Sequence, residues 1–213
     1  MALSRKQYLG WIVSVNIGFV VGNGISRQNQ PLNKLTDFGT VYACNWASVD
    51  LPCDHAVIPD KNTLFRILSE RPTNGITVWT KQRWRDLYQH ETELHYLPET
   101  LYRESQRWDR ERHWGAGTHA AWMAAERHDV VVLLGFDLWN SGVNNNVYAG
   151  QYDYTHKPVD PACWIYQLTE TFRRHPETSF VQIQDDDWQI PNGWQPQNNI
   201  STDNYKNLWA MFD

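Results

Sequence analysis

The chain has 213 residues and a formal net charge of −5 with no basic block, which sets aside a nucleic-acid reader as the default. Its length suits one α/β domain with elaborations. Its unbroken apolar runs are too short to predict a membrane span, and removing the N-terminus as a signal peptide would remove the first core strand.

Residues 1–16 read as an N-terminal extension, in which Leu9–Val15 fits either a strand or a helix. Ile17–Val21 predicts the first core strand, ending in Gly22-Asn23-Gly24 before Ser26. That pattern reads as buried strand, tight turn and helix start: glycine permits positive φ and close backbone approach, and free amides at a helix start suit a phosphate. The helix after Ser26 is expected to be short, because Pro31 follows. Thr40–Asn45 and His55–Ile58 predict the second and third strands, Thr63–Ser69 a helix and Gly75–Trp79 the fourth strand. Residues 83–113 are polar and aromatic with weak periodicity, as in a helical lid insertion. Arg103, Arg107, Arg110 and Arg112 cluster there, interleaved with Glu104, Asp109 and Glu111 as on a solvated helix face.

An Ala-rich helix is expected over Thr118–Arg127, and Val130–Leu134 has the continuous β-branched run of a central parallel strand. An Asn-, Gly- and Tyr-rich loop follows Asp137. Pro161–Arg174 predicts a helix with Asp160 as its cap, Phe180–Ile183 a last core strand, and 185–213 an irregular Trp-rich tail. The alternation predicts a single α/β domain over 1–213. Its core is a Rossmann-like, doubly wound, mainly parallel sheet with a helical and aromatic insertion. Such sheets bind ligands beyond the C-terminal strand ends, where Asn23, Asn45, Asp60, Asp137 and Asp185 fall.

Of the 12 tryptophans, Trp46, Trp114, Trp139, Trp188 and Trp194 lie near polar, Gly-rich segments. Some are expected to line a cleft for a ring-shaped ligand, and the rest to pack or to meet a second subunit in a homo-oligomer. Cys44, Cys53 and Cys163 form no zinc spacing, and their odd number points to a reducing cytoplasm. His90 and His95, or His113 and His119, are not spaced as a metal site. Asp185-Asp186-Asp187 is open to two readings: Asp185 and Asp187 holding Mg²⁺ or Mn²⁺, or a solvated acidic turn, which is favoured.

Gly22-Asn23-Gly24-Ile25-Ser26, Ala43-Cys44-Asn45-Trp46 and Ala56-Val57-Ile58-Pro59-Asp60 resemble the N-terminal half of bacterial sialyltransferases of the Campylobacter type. Gly115 through Gly135-Phe136-Asp137-Leu138 resembles their second block. Small phage-encoded proteins carry similar signatures, and the core also resembles a pterin diphosphokinase-like group. The sialyltransferase resemblance covers about two thirds of the chain, as judged from short motifs in order. It implies sugar transfer from a nucleotide sugar, a CMP-sugar by preference, to a glycan or other hydroxyl acceptor, with no cofactor required.

Residue by residue, the resemblance puts Gly22, Asn23, Gly24 and Ser26 on the nucleotide phosphate and Asn45 beside the nucleotide or donor sugar. Gly117 and Thr118 would approach the donor, and Asp137 would lie under the nucleotide. Asp60 stands where the family has Asn. Trp139 stands near a family Tyr that stabilises the leaving phosphate, Tyr148 matches a second such Tyr, and His156 matches the catalytic His. Chemically, His suits a base for the acceptor hydroxyl and Tyr suits a donor to the departing phosphate, whereas indole has one N–H and no acidic hydroxyl. Two other readings stay open: a phage accessory or virion-associated protein that binds a nucleotide or sugar without turnover, and diphosphoryl transfer on the same fold.

Overall fold

The computed structural model describes residues 15–70, 75–88, 94–98, 108, 110, 113–138, 145–152, 154–155, 157, 159–185 and 187–212. The strands are β1 (Ile17–Val21), β2 (Thr40–Cys44), β3 (His55–Val57), β4 (Thr77–Thr80), β5 (Leu94–Tyr96), β6 (Val130–Leu134), β7 (Ser179–Ile183) and β8 (Ile200–Asp203). They form one sheet in the order β5-β4-β3-β2-β1-β6-β7-β8, with every pairing parallel. The chain winds outward from β1 to β5 and then crosses back to place β6 on the free side of β1. The order therefore reverses at β1, and the crossover loops of β1 and β6 diverge to leave a crevice.

Helices cover both faces: α1 (Ala47–Asp50), α2 (Lys61–Glu70), α3 (Gln82–Tyr88), α4 (Ala116–Ala125), α5 (Ala162–Arg174) and α6 (Tyr205–Ala210). The period-two alternation of the strands divides the core between the faces. Val20, Tyr42, Val131, Leu133 and Phe180 pack with Ala120, Ala121, Ala124, Leu168 and Phe172 of α4 and α5. Phe19, Val21, Val41, Val132, Leu134 and Ile183 pack on the other face with Leu32, Leu35, Tyr205 and Leu208. The small side chains of α4 allow the helix to lie across β1 and β2, as the Ala-rich segment predicted. Asp160 Oδ1 accepts from the Ala162 amide at 3.0 Å, so the expected cap of α5 is in place.

Three expectations are revised. The segment after Ser26 is a three-residue 3-10 turn, Ile25–Arg27, too short to present the free amides of a helix start. Part of the expected lid is regular structure, because most of α3 and all of the edge strand β5 lie within it; 89–93, 99–107, 109 and 111–112 are outside the described residues. The tail is not irregular throughout, since β8 pairs with β7 and α6 packs on the core, capped by Asn204, whose side chain accepts from the Asn207 amide. Leu9–Ser14 lie outside the described residues. Among the described residues no helix is long and apolar enough to cross a membrane.

Candidate active site

A cleft of about 380 Å³ opens at the point where the strand order reverses. Its floor is the turn after β1 and the turn after β6, which touch: the Gly22 amide donates to the Leu134 carbonyl (2.8 Å) and the Gly24 amide to the Gly135 carbonyl (2.7 Å). A Cβ at Gly22 would stand 2.6 Å from the Gly135 oxygen, and one at Gly24 would stand 2.5 Å from it. Gly24 itself has an ordinary φ of −62°, so glycine is required here for close approach, whereas Gly135 does adopt the left-handed region at φ +68°.

Asp137 joins these turns. Its carboxylate, 8% exposed, accepts from the Ser26 amide (3.0 Å), the Ser26 hydroxyl and Gln184 Nε2 (3.1 Å). The Ser26 amide is thereby occupied by a protein carboxylate, which removes it as a phosphate donor. Ser26 lines a neighbouring depression and not the cleft.

The opposite wall is the amino end of α4. Gly115, Ala116, Gly117 and Thr118 all line the cleft, and Gly115, at the cap position, has no side chain to satisfy the first amides. This ten-residue helix therefore turns first-turn amides without a side-chain cap toward the cleft, a polarity suited to an anion. The Thr118 hydroxyl lies 3.0 Å from both the Gly115 carbonyl and Gln167 Oε1, so Thr118 offers the cleft its backbone. Gly117 admits the ring of Phe136, whose Cε1 would stand 2.8 Å from a Cβ there.

Asn23 and Asn45 project from the ends of β1 and β2, and each carboxamide donates to the Tyr154 hydroxyl, at 3.1 and 3.2 Å. The two side-chain carbonyls, Asn23 Oδ1 and Asn45 Oδ1, are buried without a hydrogen-bond partner among the described residues. Buried carbonyls in that state call for donors from a ligand or solvent. Burial pushes the Tyr154 hydroxyl up to about 12, against the lowering effect of its Asn45 bond, so it stays protonated at neutral pH. Asn45 (φ 51°) and Leu138 (φ 57°) hold left-handed backbone at the cleft, strain of the kind that gathers at functional sites.

The remaining candidates divide. Asp60 lines the rim and is exposed. Tyr148 is 5% exposed and does not line the cleft: Arg27 Nη2 donates to its oxygen at 2.8 Å, and its hydroxyl donates to Asp50 Oδ2. Burial raises the Tyr148 hydroxyl well above the usual tyrosine range. The tyrosine that lines the cleft is Tyr154, six residues on. Trp139 and His156 lie outside the described residues.

Of the tryptophans named from sequence, Trp114 reaches the cleft, joined by Trp164, which had not been singled out. Trp46 is buried beneath Tyr152 in a parallel stack at 3.6 Å. Trp194 is buried against Phe172, and Trp209 donates to Gln30 Oε1 at 2.8 Å, so these tail indoles pack on their own chain. Cys44 also lines the cleft, where burial pushes its thiol up to about 12 and keeps it protonated. Asp185 and Asp187 are exposed beside the neighbouring depression, and no group of three or more His, Cys, Asp or Glu among the described residues could hold a metal ion.

No family model matches the chain, and no curated protein matches it in sequence. Among solved structures, the monofunctional alpha-2,3-sialyltransferase Cst-I from Campylobacter jejuni is similar with a TM-score of 0.53 at 12% identity, over 93% of this chain and 83% of that one. A variant of the sialyltransferase Cst-II in complex with CMP gives a TM-score of 0.45 at 11% identity, over 88% of this chain and 100% of that one. At 12% identity the likeness to Cst-I is one of fold, and with the all-parallel sheet it bears out the Rossmann-like α/β core expected from sequence.

Proposed function

We propose that the chain is a glycosyltransferase that moves a sugar from a nucleotide-sugar donor, a CMP-sugar first among them, to an acceptor hydroxyl. The observation that carries this reading is the cleft where the strand order reverses, in which the amino end of α4 shares the walls with two carboxamides joined by the Tyr154 hydroxyl. The sialyltransferase-like fold and the strand-end motifs support it.

In this reading the α4 amides and the protonated Tyr154 hydroxyl receive the departing phosphate. The Asn23 and Asn45 carbonyls, without a partner among the described residues, accept from hydroxyl or amino groups of the donor. The acceptor oxygen forms the new bond to the anomeric carbon as the bond from that carbon to the phosphate oxygen breaks. The nucleotide leaves with the electron pair. His156, two residues after Tyr154 in sequence, takes the acceptor's proton. The residues in these roles need no metal.

The test is a thermal-shift series with CMP, CDP, UDP, GDP and ADP and their sugar conjugates, with and without Mg²⁺. A ligand present at 100 times its Kd stabilises the fold by about 2.7 kcal/mol. Stabilisation by a cytidine nucleotide without metal, followed by transfer that is lost in His156→Ala while binding persists, is expected. Binding without turnover in the wild type would leave a nucleotide-binding module. Stabilisation only with Mg²⁺ would move the chemistry toward Asp185 and Asp187.

A further inference from the structure

A second depression of about 390 Å³ lies against the cleft and shares Asp137 and Asn145 with it. One wall is Ile25, an apolar side chain left 49% exposed. Another is Trp188, which is held in place: its Nε1 donates to the Asp137 carbonyl at 2.8 Å, and its ring packs on Trp194 with centroids 6.0 Å apart. The polar lining consists of carboxamides, Ser26, Asp137 and the exposed carboxylates of Asp185 and Asp187, with no Lys, Arg or His among the described lining residues. Gln184, 3% exposed, is anchored through Nε2 to Asp137 Oδ1.

We infer that this depression is the acceptor subsite and that it takes a non-anionic pyranose, neutral or amino-bearing; the acceptor role rests on the transfer reading above. A fixed indole and an exposed aliphatic side chain give a pyranose its apolar surfaces. Carboxylates accept hydrogen bonds and donate none, which matches ring hydroxyls and an ammonium group and opposes a sugar carboxylate. The volume lies within the range of about 300–1,000 Å³ usual for small-molecule sites. Asp137, at the boundary, ties both floors to the turn after β1, so ligands in the two depressions would lie side by side.

The probes are methyl glucoside, methyl glucosaminide and methyl glucuronide, titrated by saturation-transfer NMR on the full chain with and without CMP. The uncharged and amino probes should bind, and the glucuronide about tenfold or more weaker. Trp188→Ala should weaken the first two about tenfold. Because Trp188 also packs on the core, the exposed pair Asp185→Lys/Asp187→Lys is the second variant, and it should reverse the order in favour of the glucuronide. No binding by any probe, or equal binding unmoved by both variants, overturns the subsite. CMP stabilisation is read separately: if CMP fails while the probe order holds, the transfer reading falls and the sugar site stands. If CMP binds and the order is absent, the sugar site falls alone.

Discussion

The Tyr154 hydroxyl collects carboxamides from two different strand ends, Asn23 after β1 and Asn45 after β2. Tyr154→Phe leaves both N–H groups without that acceptor. The expected outcome is a loss of about 1–3 kcal/mol in urea unfolding, from groups left unsatisfied. Under the proposed transfer, nucleotide affinity should also fall about tenfold by calorimetry, because Tyr154 would no longer donate to the phosphate. Unchanged affinity would detach Tyr154 from the ligand. The sequence singled out Tyr148 in this loop, whereas the tyrosine that lines the cleft is Tyr154. That choice could not be read locally, because Arg27 and Asp50, 121 and 98 residues away, bind Tyr148 and hold it inside. Asn23, Asn45 and Gly117 were legible, since a polar residue or glycine after an apolar strand or at a helix start marks the position regardless of packing.

At the scale of elements, the central strands were legible because each is an apolar run buried on both faces. β8 was not: Ile200-Ser201-Thr202-Asp203 has no apolar run, and its two middle residues are exposed, as suits an edge. The Gly-Asn-Gly turn was legible, and of the two reasons expected for its glycines, positive φ and close backbone approach, the second holds at Gly24. The turn is where the ends of β1 and β6 touch, so Gly24→Ala would drive a Cβ to 2.5 Å from a backbone oxygen that cannot swing aside. Overpacking of this kind costs about 1–3 kcal/mol, and for a chain of this size each kcal/mol lowers Tm by roughly 2–4 °C. A thermal melt of Gly24→Ala matching wild type would show that the two turns can separate without loss.

At the scale of the whole molecule, the buried imidazoles set how the fold responds to acid. His119 on α4 is fully buried, and its Nδ1 lies 2.8 Å from the Gly115 carbonyl. Burial pushes this imidazole down from 6.5 to about 3; the Gly115 carbonyl opposes that shift and the Lys81 ammonium adds to it. His55, His128 and His175 are lowered as well, each chiefly by burial. Below pH 6.5 the unfolded chain binds a proton at His119 that the native state refuses, so the unfolded state holds more protons and stability rises with pH. The contribution is complete above pH 6.5 and is lost as pH falls toward about 3, by up to about 5 kcal/mol for His119 over the whole window. Urea unfolding between pH 3.5 and 8 should therefore show stability falling steadily below pH 6.5. His119→Gln, which cannot titrate, should be less stable at pH 8 yet lose less on acidification. An acid limb equally steep in both proteins would assign the pH dependence to other groups, with Glu170, held below the usual carboxylate range by its hydrogen bond from Arg173, the first to examine at the acid end.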